Sequence, residues 1–184
     1  MSATSPWRAA LLLCLLCCLL ANGCAYSIYE DRRLMDTMAE DKKMATAIKS
    51  ALLRDNFRDG LAISVYVFYG NVFLLGEIPK KLQARAVEIA RAYKPVSITP
   101  HWFSPASSDV GNLALASSLR TALIGTRGLS STRIDSEVNA GRVVLLGVVH
   151  DNAEKQLAIS VARKVRGVSS VTSYLLLPQS PGKK

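Results

Sequence analysis

The sequence predicts an α+β fold that is built twice in tandem. The heptapeptide Gly70–Gly76, Gly-Asn-Val-Phe-Leu-Leu-Gly, returns 71 residues later as Gly141–Gly147, Gly-Arg-Val-Val-Leu-Leu-Gly. The same offset carries one set of apolar helix positions onto another: Met44, Ile48, Ala51 and Leu52 onto Leu115, Leu119, Ala122 and Leu123. Because a helix face, a strand pair and a second helix recur in the same order, the chain is interpreted as a tandem duplication.

Each copy is predicted to run helix, hairpin, helix, strand. Helices are expected from the apolar spacing at 38–54, 81–94, 113–124 and 152–166. Strands are expected at 61–69, 72–78, 96–103, 133–139, 142–149 and 168–177. The first helix is expected to begin at a capping box, Thr37-x-x-Glu40, and the third at Asn112. Two-residue hairpin turns are expected at Gly70-Asn71 and at Ala140-Gly141.

The order of these elements divides the chain into six parts. They are a signal peptide (1–23), a tether (24–37), a first repeat (38–103), a linker (104–111), a second repeat (112–177) and a disordered tail (178–184). Each repeat is of a size at which a lone hydrophobic core is marginal.

The first residues are predicted to form an export signal. Arg8 precedes an unbroken apolar run from Ala9 to Leu20, which is too short to span a bilayer as a helix. The segment Leu20-Ala21-Asn22-Gly23-Cys24 resembles a bacterial lipobox, which predicts acylation of Cys24. The alternative is an ordinary signal peptide followed by a chance cysteine. Ala25, by resemblance to envelope lipoproteins, favours the outer membrane with the domains facing the periplasm.

The cysteines and the net charge limit the kinds of metal site, disulfide and partner that the protein can have. The other three cysteines, Cys14, Cys17 and Cys18, leave with the signal, so the mature chain is expected to have no disulfide and no cysteine metal site. The formal net charge of +9 favours anionic partners. Export excludes nucleic acid, which leaves an anionic membrane surface or acidic envelope proteins.

The two sheets are predicted to differ in their outer faces. In strand 133–139, Asp135 and Glu137 alternate with Ile134 and Val138, which is typical of a sheet with one wet face. In the first repeat both faces of strand 61–69 are apolar. Its outer face is therefore expected to be covered, either by the second repeat or by a partner.

Two motifs resemble the BON domain family. The first is Gly-x-Val-x-Leu-x-Gly at both hairpins, and the second is Arg166-Gly167-Val168-Ser169-Ser170-Val171 after the last helix. In the first repeat Lys94-Pro95-Val96 replaces the second motif. The resemblance covers about Asp41 to Leu177 and implies a dual-BON outer-membrane lipoprotein. It also implies an α/β sandwich with a small mixed three-stranded sheet and two helices on one face, without catalysis, that binds phospholipid or envelope proteins.

One helix surface is the candidate binding site. The solvent face of helix 113–124 carries Leu113, Ser117, Arg120 and Ile124, two large apolar residues around a cation, which suits an anionic membrane interface. Lys42 and Lys49 occupy the matching face of the first repeat. The alternative is that Leu113 and Ile124 pack on the neighbouring domain.

The sequence gives little support to an enzyme or a cofactor. His101 and His150 lie in different repeats without a metal-ligand pattern. No Gly-x-Ser-x-Gly elbow or phosphate-cradling loop is present. Trp102 and Phe103 are expected to insert into a hydrophobic core and not to form a binding platform. Two functions remain open: a non-enzymatic lipid-anchored protein that contacts anionic membrane and supports envelope integrity, or an adaptor that docks other envelope proteins.

Overall fold

The computed structural model describes residues 35–108 and 110–179, and both predicted copies are present. The first copy contains α1 (Met35–Asp55), α2 (Phe57–Leu61), β1 (Ile63–Phe68), β2 (Asn71–Gly76), α3 (Lys80–Arg91) and β3 (Ser97–Trp102). The second contains α4 (Asn112–Gly125), a 3-10 turn (Ser131–Arg133), β4 (Ile134–Asn139), β5 (Arg142–Val148), α5 (Asn152–Lys164) and β6 (Ser170–Leu176). The signal peptide, Cys24, most of the tether and residues 180–184 of the predicted tail lie outside the described residues.

Each copy forms the predicted mixed three-stranded sheet. In the first, β1 pairs antiparallel with β2, and β2 pairs parallel with β3; the second repeats this order as β4, β5 and β6. The parallel pair forms because the connecting helix returns the chain to the start of the sheet. Pro100 lies in β3, which is an edge strand, so its missing N–H costs no bond to a further strand.

The first hairpin turn lies one residue earlier than predicted. Phe68 pairs with Asn71, so the turn residues are Tyr69 and Gly70, both with positive φ (54° and 72°). Positive φ at both central residues is the requirement of a type I′ turn, whose twist suits a two-residue hairpin. Asn71 instead donates its side-chain amide to the carbonyl oxygens of Phe68 and Tyr69. The second turn is at Ala140-Gly141, as predicted.

Neither predicted helix cap forms as a side-chain cap. α1 is already helical at Met35, so Thr37 and Glu40 lie inside it and do not cap its start. The residue that precedes α4 is Gly111, and the side chain of Asn112 accepts from the backbone N–H of Ala140 in the second hairpin turn. Asp41 lies 71 residues before Asn112 and likewise accepts from Tyr69 and Gly70 in the first turn. A polar side chain at the equivalent position of each main helix thus accepts from backbone N–H groups of its own hairpin turn.

Several element ends also differ from the prediction. The segment 55–60, predicted as a polar break, holds most of α2, which Asn56 caps by accepting from the N–H of Asp59. Helices α3 and α5 end at Arg91 and Lys164, two to three residues before the predicted ends. Gly167, expected in the left-handed region after the last helix, has φ 95°.

Each copy has its own core between its helices and one face of its sheet. The first contains Ile48, Leu52, Ile63, Val67, Val72, Leu74, Ile78, Ala86 and Ala90. The second contains Leu119, Leu123, Ile134, Val143, Leu145, Val149, Ala158, Ala162 and Leu175. The expectation of two helices on one face of each sheet is confirmed by these contacts.

A third core joins the two copies. It lies between the other faces of the two sheets and contains Phe68, Phe73, Leu75, Phe103, Val144, Leu146 and Val148. The first sheet is therefore covered by the second repeat, which was one of the two alternatives. The prediction of a wet face on the second sheet is wrong, because Val144 and Leu146 on that face are buried. Glu137, in the neighbouring strand, accepts a hydrogen bond from the hydroxyl of Tyr66 (2.8 Å).

The two copies are related by an approximate two-fold axis. Tyr66 and Glu137 are 71 residues apart and contact each other. His101 and Tyr174, which pair with the equivalent residues Leu75 and Leu146, also contact each other. Contacts between equivalent positions are what a two-fold axis produces. The molecule is thus a four-layer sandwich with helices outside and both sheets inside.

This symmetry gives the sandwich two distinct ends. Asn139, beside the second hairpin turn, donates to Glu77, which follows β2 (2.9 Å). We name this the second-hairpin end; it contains the turn Ala140-Gly141 and the open end of the first hairpin. At the opposite, first-hairpin end, the backbone N–H of Gln179 approaches the hydroxyl of Tyr69 (3.3 Å).

Candidate functional site

The candidate face of α4 points away from the rest of the molecule. Leu113 is 85% exposed and Ile124 is 60% exposed, whereas Leu115, Leu119 and Leu123 on the opposite face are buried. The alternative that Leu113 and Ile124 pack on the neighbouring repeat is therefore wrong. The repeats meet through their sheets, which leaves the helices in the outer layers.

Arg120 is held by the fold. Its Nη1 donates to the carbonyl oxygens of Ser131 (2.8 Å) and Ile134 (3.2 Å), at the start of β4. The guanidinium thus braces the backbone that enters the sheet. Ser117 is exposed one turn earlier, and its carbonyl accepts from Thr121. The cation between the two apolar residues is therefore already hydrogen-bonded within the protein.

Lys49 has the equivalent role in the first repeat. Its Nζ donates to the carbonyl oxygens of Gly60 (2.7 Å) and Ile63 (2.6 Å), and burial lowers its pKa below the ordinary lysine value. Lys49 and Arg120 are 71 residues apart, as are Ile63 and Ile134. The hydrogen bond from a basic side chain to the carbonyl oxygen at the start of the first strand is therefore present in both repeats. Lys42, by contrast, is exposed.

The structure does not bring all the candidate residues together. Leu113, Ser117 and Ile124 lie on α4, and Lys42 and Lys49 lie on α1. Each helix packs on the outer face of its own sheet, with both sheets between them. The two faces are therefore separate surfaces on opposite sides of the sandwich.

A buried ion pair is the polar feature that sequence reasoning missed. Arg133 and Glu154 are 8% and 6% exposed, and their Nη2 and Oε2 atoms are 3.2 Å apart. Glu154 also accepts from the backbone N–H groups of Ser130 and His150. The pair borders a cleft of about 640 Å³ between the 3-10 turn and the start of α5. The equivalent residues of the first repeat are Ala62 and Leu82, so a comparison of the two repeats does not reveal the ion pair.

The two histidines, His101 and His150, lie in different environments. His101 lies between the sheets, with Nδ1 3.1 Å from the hydroxyl of Tyr174; burial first, and Arg142 second, lower its pKa. His150 is exposed beside Asp151. In the two described ranges, no group of three or more His, Cys, Asp or Glu converges as a metal site would require. Trp102 packs against the first core and Phe103 enters the core between the sheets, as expected.

These features define a protein made of two copies of one α+β module, packed sheet to sheet. The BON domain model matches residues 40–97 and 112–178. These matches include both hairpins and both helix pairs, and the chain belongs to the BON domain family, with two BON domains in tandem.

The individual proteins to which this chain is similar share little sequence identity with it. An uncharacterized protein in the gshII 5′ region of Anaplasma centrale is 23% identical over 144 residues, which are 73% of this chain and 95% of that protein. The C-terminal domain of CdsD, a structural protein of the type III secretion system of Chlamydia trachomatis, aligns over 76% of this chain and 67% of its own. Its identity is 14% and its TM-score 0.32. A second CdsD structure aligns over 75% and 63%, with 12% identity and the same TM-score.

The helices are also short or polar relative to a bilayer. Across the described ranges, none has both the length and the apolar character needed to span a membrane.

Proposed function

We propose that this protein is a non-enzymatic, lipid-anchored component of the bacterial outer membrane whose two BON domains face the periplasm, bind anionic phospholipid and support envelope integrity. Acylation of Cys24 supplies the permanent attachment, and the folded domains supply headgroup contact. No cofactor takes part. The lipobox-like segment before Cys24 and the net charge of +9 support this proposal.

The exposure of Leu113 is the observation that carries the proposal. Leaving a leucine side chain in water costs about 2 kcal/mol of free energy relative to burying it in an apolar environment. Leu113 is 85% exposed and Ile124, three turns along the same helix, is 60% exposed. Both can enter the headgroup and acyl boundary when α4 lies along a membrane. Two such residues give weak docking, which an acylated cysteine converts to stable attachment.

The fold changes the part assigned to Arg120. Because its guanidinium already bonds two backbone carbonyls, Arg120 is best regarded as a residue that positions the start of β4. Replacing it by glutamate would disturb the fold and would not test lipid contact. The phosphate-facing cations therefore come from other surface residues.

The experiment is flotation of the protein from residue 25 onward with phospholipid vesicles, since this form lacks the acyl chain and keeps every described residue. Wild type is expected to float with vesicles that contain phosphatidylglycerol and to remain below with phosphatidylcholine alone. Leu113→Asp and Ile124→Asp are expected to abolish flotation. Val96→Asp is the matched control, because Val96 is also exposed (77%) but lies beside the first hairpin turn. Wild type that fails to float with either vesicle contradicts the proposal.

The alternative function, an adaptor that docks another envelope protein, is favoured by one observation. The cleft beside Arg133 and Glu154 exists in the second copy, while the first copy keeps the same fold with Ala62 and Leu82 at these positions. A pull-down of the lipidated protein from detergent-solubilised envelope, compared with an Arg133→Leu/Glu154→Leu double variant, tests it. A protein captured by wild type and lost from the variant supports the adaptor.

A further inference from the structure

We propose that the cleft beside the Arg133–Glu154 ion pair is a binding site for a neutral saccharide. The cleft is formed by the second BON domain, between the 3-10 turn and the start of α5. This inference goes beyond the proposed function, because contact with a membrane does not involve a ligand in this cleft.

The cleft is a point at which the two copies of the fold differ. In the first domain, α2 (Phe57–Leu61) contacts α1, and the cavity that remains beside α3 is about 20 Å³. The equivalent segment of the second domain, 128–132, does not form an α-helix, and the cleft beside α5 is about 640 Å³. This volume is typical of small-molecule pockets, which range over about 300–1,000 Å³. The fold itself therefore does not require the cleft.

Arg133 supplies two hydrogen-bond donors that have no partner in the protein. Its side chain is 5% exposed, and its Nη2 atom lies 3.2 Å from Oε2 of Glu154. Its Nε and Nη1 atoms are buried and have no hydrogen-bond partner among the described residues. A buried N–H group without an acceptor costs free energy, and native proteins leave few of them. Because Arg133 lines the cleft, these donors favour a ligand that carries acceptor oxygens.

The charges that line the cleft disfavour an ionic ligand. Arg133 and Glu154 neutralise each other. The Glu154 carboxylate also accepts from the backbone N–H groups of Ser130 and His150. An anion would meet the carboxylates of Glu154 and Asp151, whereas a cation would meet the Arg133 guanidinium. Since burial of an unpaired charge is costly, a neutral ligand suits the cleft.

The uncharged side chains of the cleft suit a ligand that is rich in hydroxyl groups. Ser130, Ser131 and Thr132 line it, and in the described part of the chain their hydroxyls have no hydrogen-bond partner. A serine or threonine hydroxyl both donates and accepts, as does each hydroxyl of a sugar. Leu129 and Leu157 add apolar surface, against which the C–H groups of a sugar ring can pack.

The cleft offers little to an extended peptide. A peptide that binds by its main chain needs free backbone N–H and carbonyl groups on the protein, as at an open strand edge. Here the N–H groups of Ser130 and His150 donate to Glu154, and the N–H of Glu154 donates to Asp151. The free groups belong to side chains, which favours a saccharide.

The test observes Arg133 directly by NMR. The protein from residue 25 onward is labelled with 15N and titrated with N-acetylglucosamine to millimolar concentration, because this sugar carries hydroxyls and a neutral amide carbonyl. We expect the Nε–H signal of Arg133 and the backbone signals of 128–133 to shift until saturation. The signals of the equivalent residues 57–62 should not move. An Arg133→Leu/Glu154→Leu variant has an apolar pair, as the first domain has at Ala62 and Leu82, and should lose the response.

A milder variant provides a second measurement. Ser131→Ala removes a hydroxyl that makes no bond within the described protein, and should raise the Kd for the sugar about three- to tenfold, the effect of one neutral hydrogen bond. Ser118→Ala is the control, because Ser118 is exposed on α4 and does not line the cleft. Circular dichroism checks that each variant is folded. A Kd that Ser131→Ala leaves equal to wild type would place the sugar outside the cleft and overturn the inference.

A neutral peptide, N-acetyl-trialanine amide, separates the saccharide from the competing ligand. Shifts at 128–133 with this peptide and none with the sugar would overturn the saccharide in favour of a peptide. No response to either compound would overturn the site itself.

Discussion

Leu146→Ala should destabilise the first domain as well as the second, although Leu146 lies in the second. The side chain is fully buried between the two sheets, in the core that also contains Phe73 and Leu75. A buried Leu→Ala change costs about 2–5 kcal/mol in the free energy of unfolding. With a urea dependence of about 2 kcal/mol per molar, the midpoint should fall by about 1–2.5 M.

Trp102 makes this measurable in the first domain alone. It is the single tryptophan from residue 25 onward and packs against the first core. Urea unfolding is followed by its fluorescence in wild type and in Leu146→Ala, with Leu113→Ala as an exposed control that should change the midpoint little. A lowered Trp102 midpoint shows that the sheet interface couples the domains. An unchanged Trp102 midpoint, with a separate early transition in circular dichroism, would refute the shared core.

Three further results are expected. Gly76→Ala should destabilise the fold by about 1–3 kcal/mol in thermal unfolding, because its Cβ would lie 2.2 Å from the carbonyl oxygen of Ala62; an unchanged midpoint would contradict the close approach. Burial lowers the pKa of His101 in the folded state, so stability should be present above about pH 6.5 and should fall as the pH drops below it. His101→Gln should flatten that dependence between pH 7.5 and 5. Cys24→Ala should abolish labelling by radioactive palmitate in cells, whereas persistent labelling would place the lipid elsewhere.

Much of the fold follows from local patterns in the sequence. The 71-residue repeat is visible because each copy needs the same apolar positions to fill the same core, as at Ile48 and Leu119. The hairpins are visible because their turns need glycine at positive φ. The sequence predicts the first hairpin turn one residue too late. Tyr69 adopts a left-handed conformation, which a tyrosine side chain does not favour. These signals lie within one copy and depend on residues close in sequence.

The relation between the copies follows from contacts that no local pattern contains. Asp135 and Glu137 indicate a wet strand, yet Glu137 is paired with Tyr66 from the other sheet, and the adjacent strand β5 fills the joint core. The candidate site shows the same limit. Leu113 was identified from helical spacing, but the bond from Arg120 to Ile134 depends on tertiary structure. Phe57 was assigned to a polar break, because a five-residue helix is too short to show periodicity.

The most direct test of the account is the lipid and salt dependence of membrane binding by the unacylated wild-type protein. Partitioning to vesicles is measured at increasing phosphatidylglycerol content, at about 0.1 M and about 0.5 M salt. The account predicts binding that rises steeply with anionic lipid and weakens at high salt, because exposed charges are screened over about 10 Å at the lower concentration and over shorter distances at the higher one. Binding that is absent, or equal on zwitterionic and anionic vesicles at both salt concentrations, would contradict it.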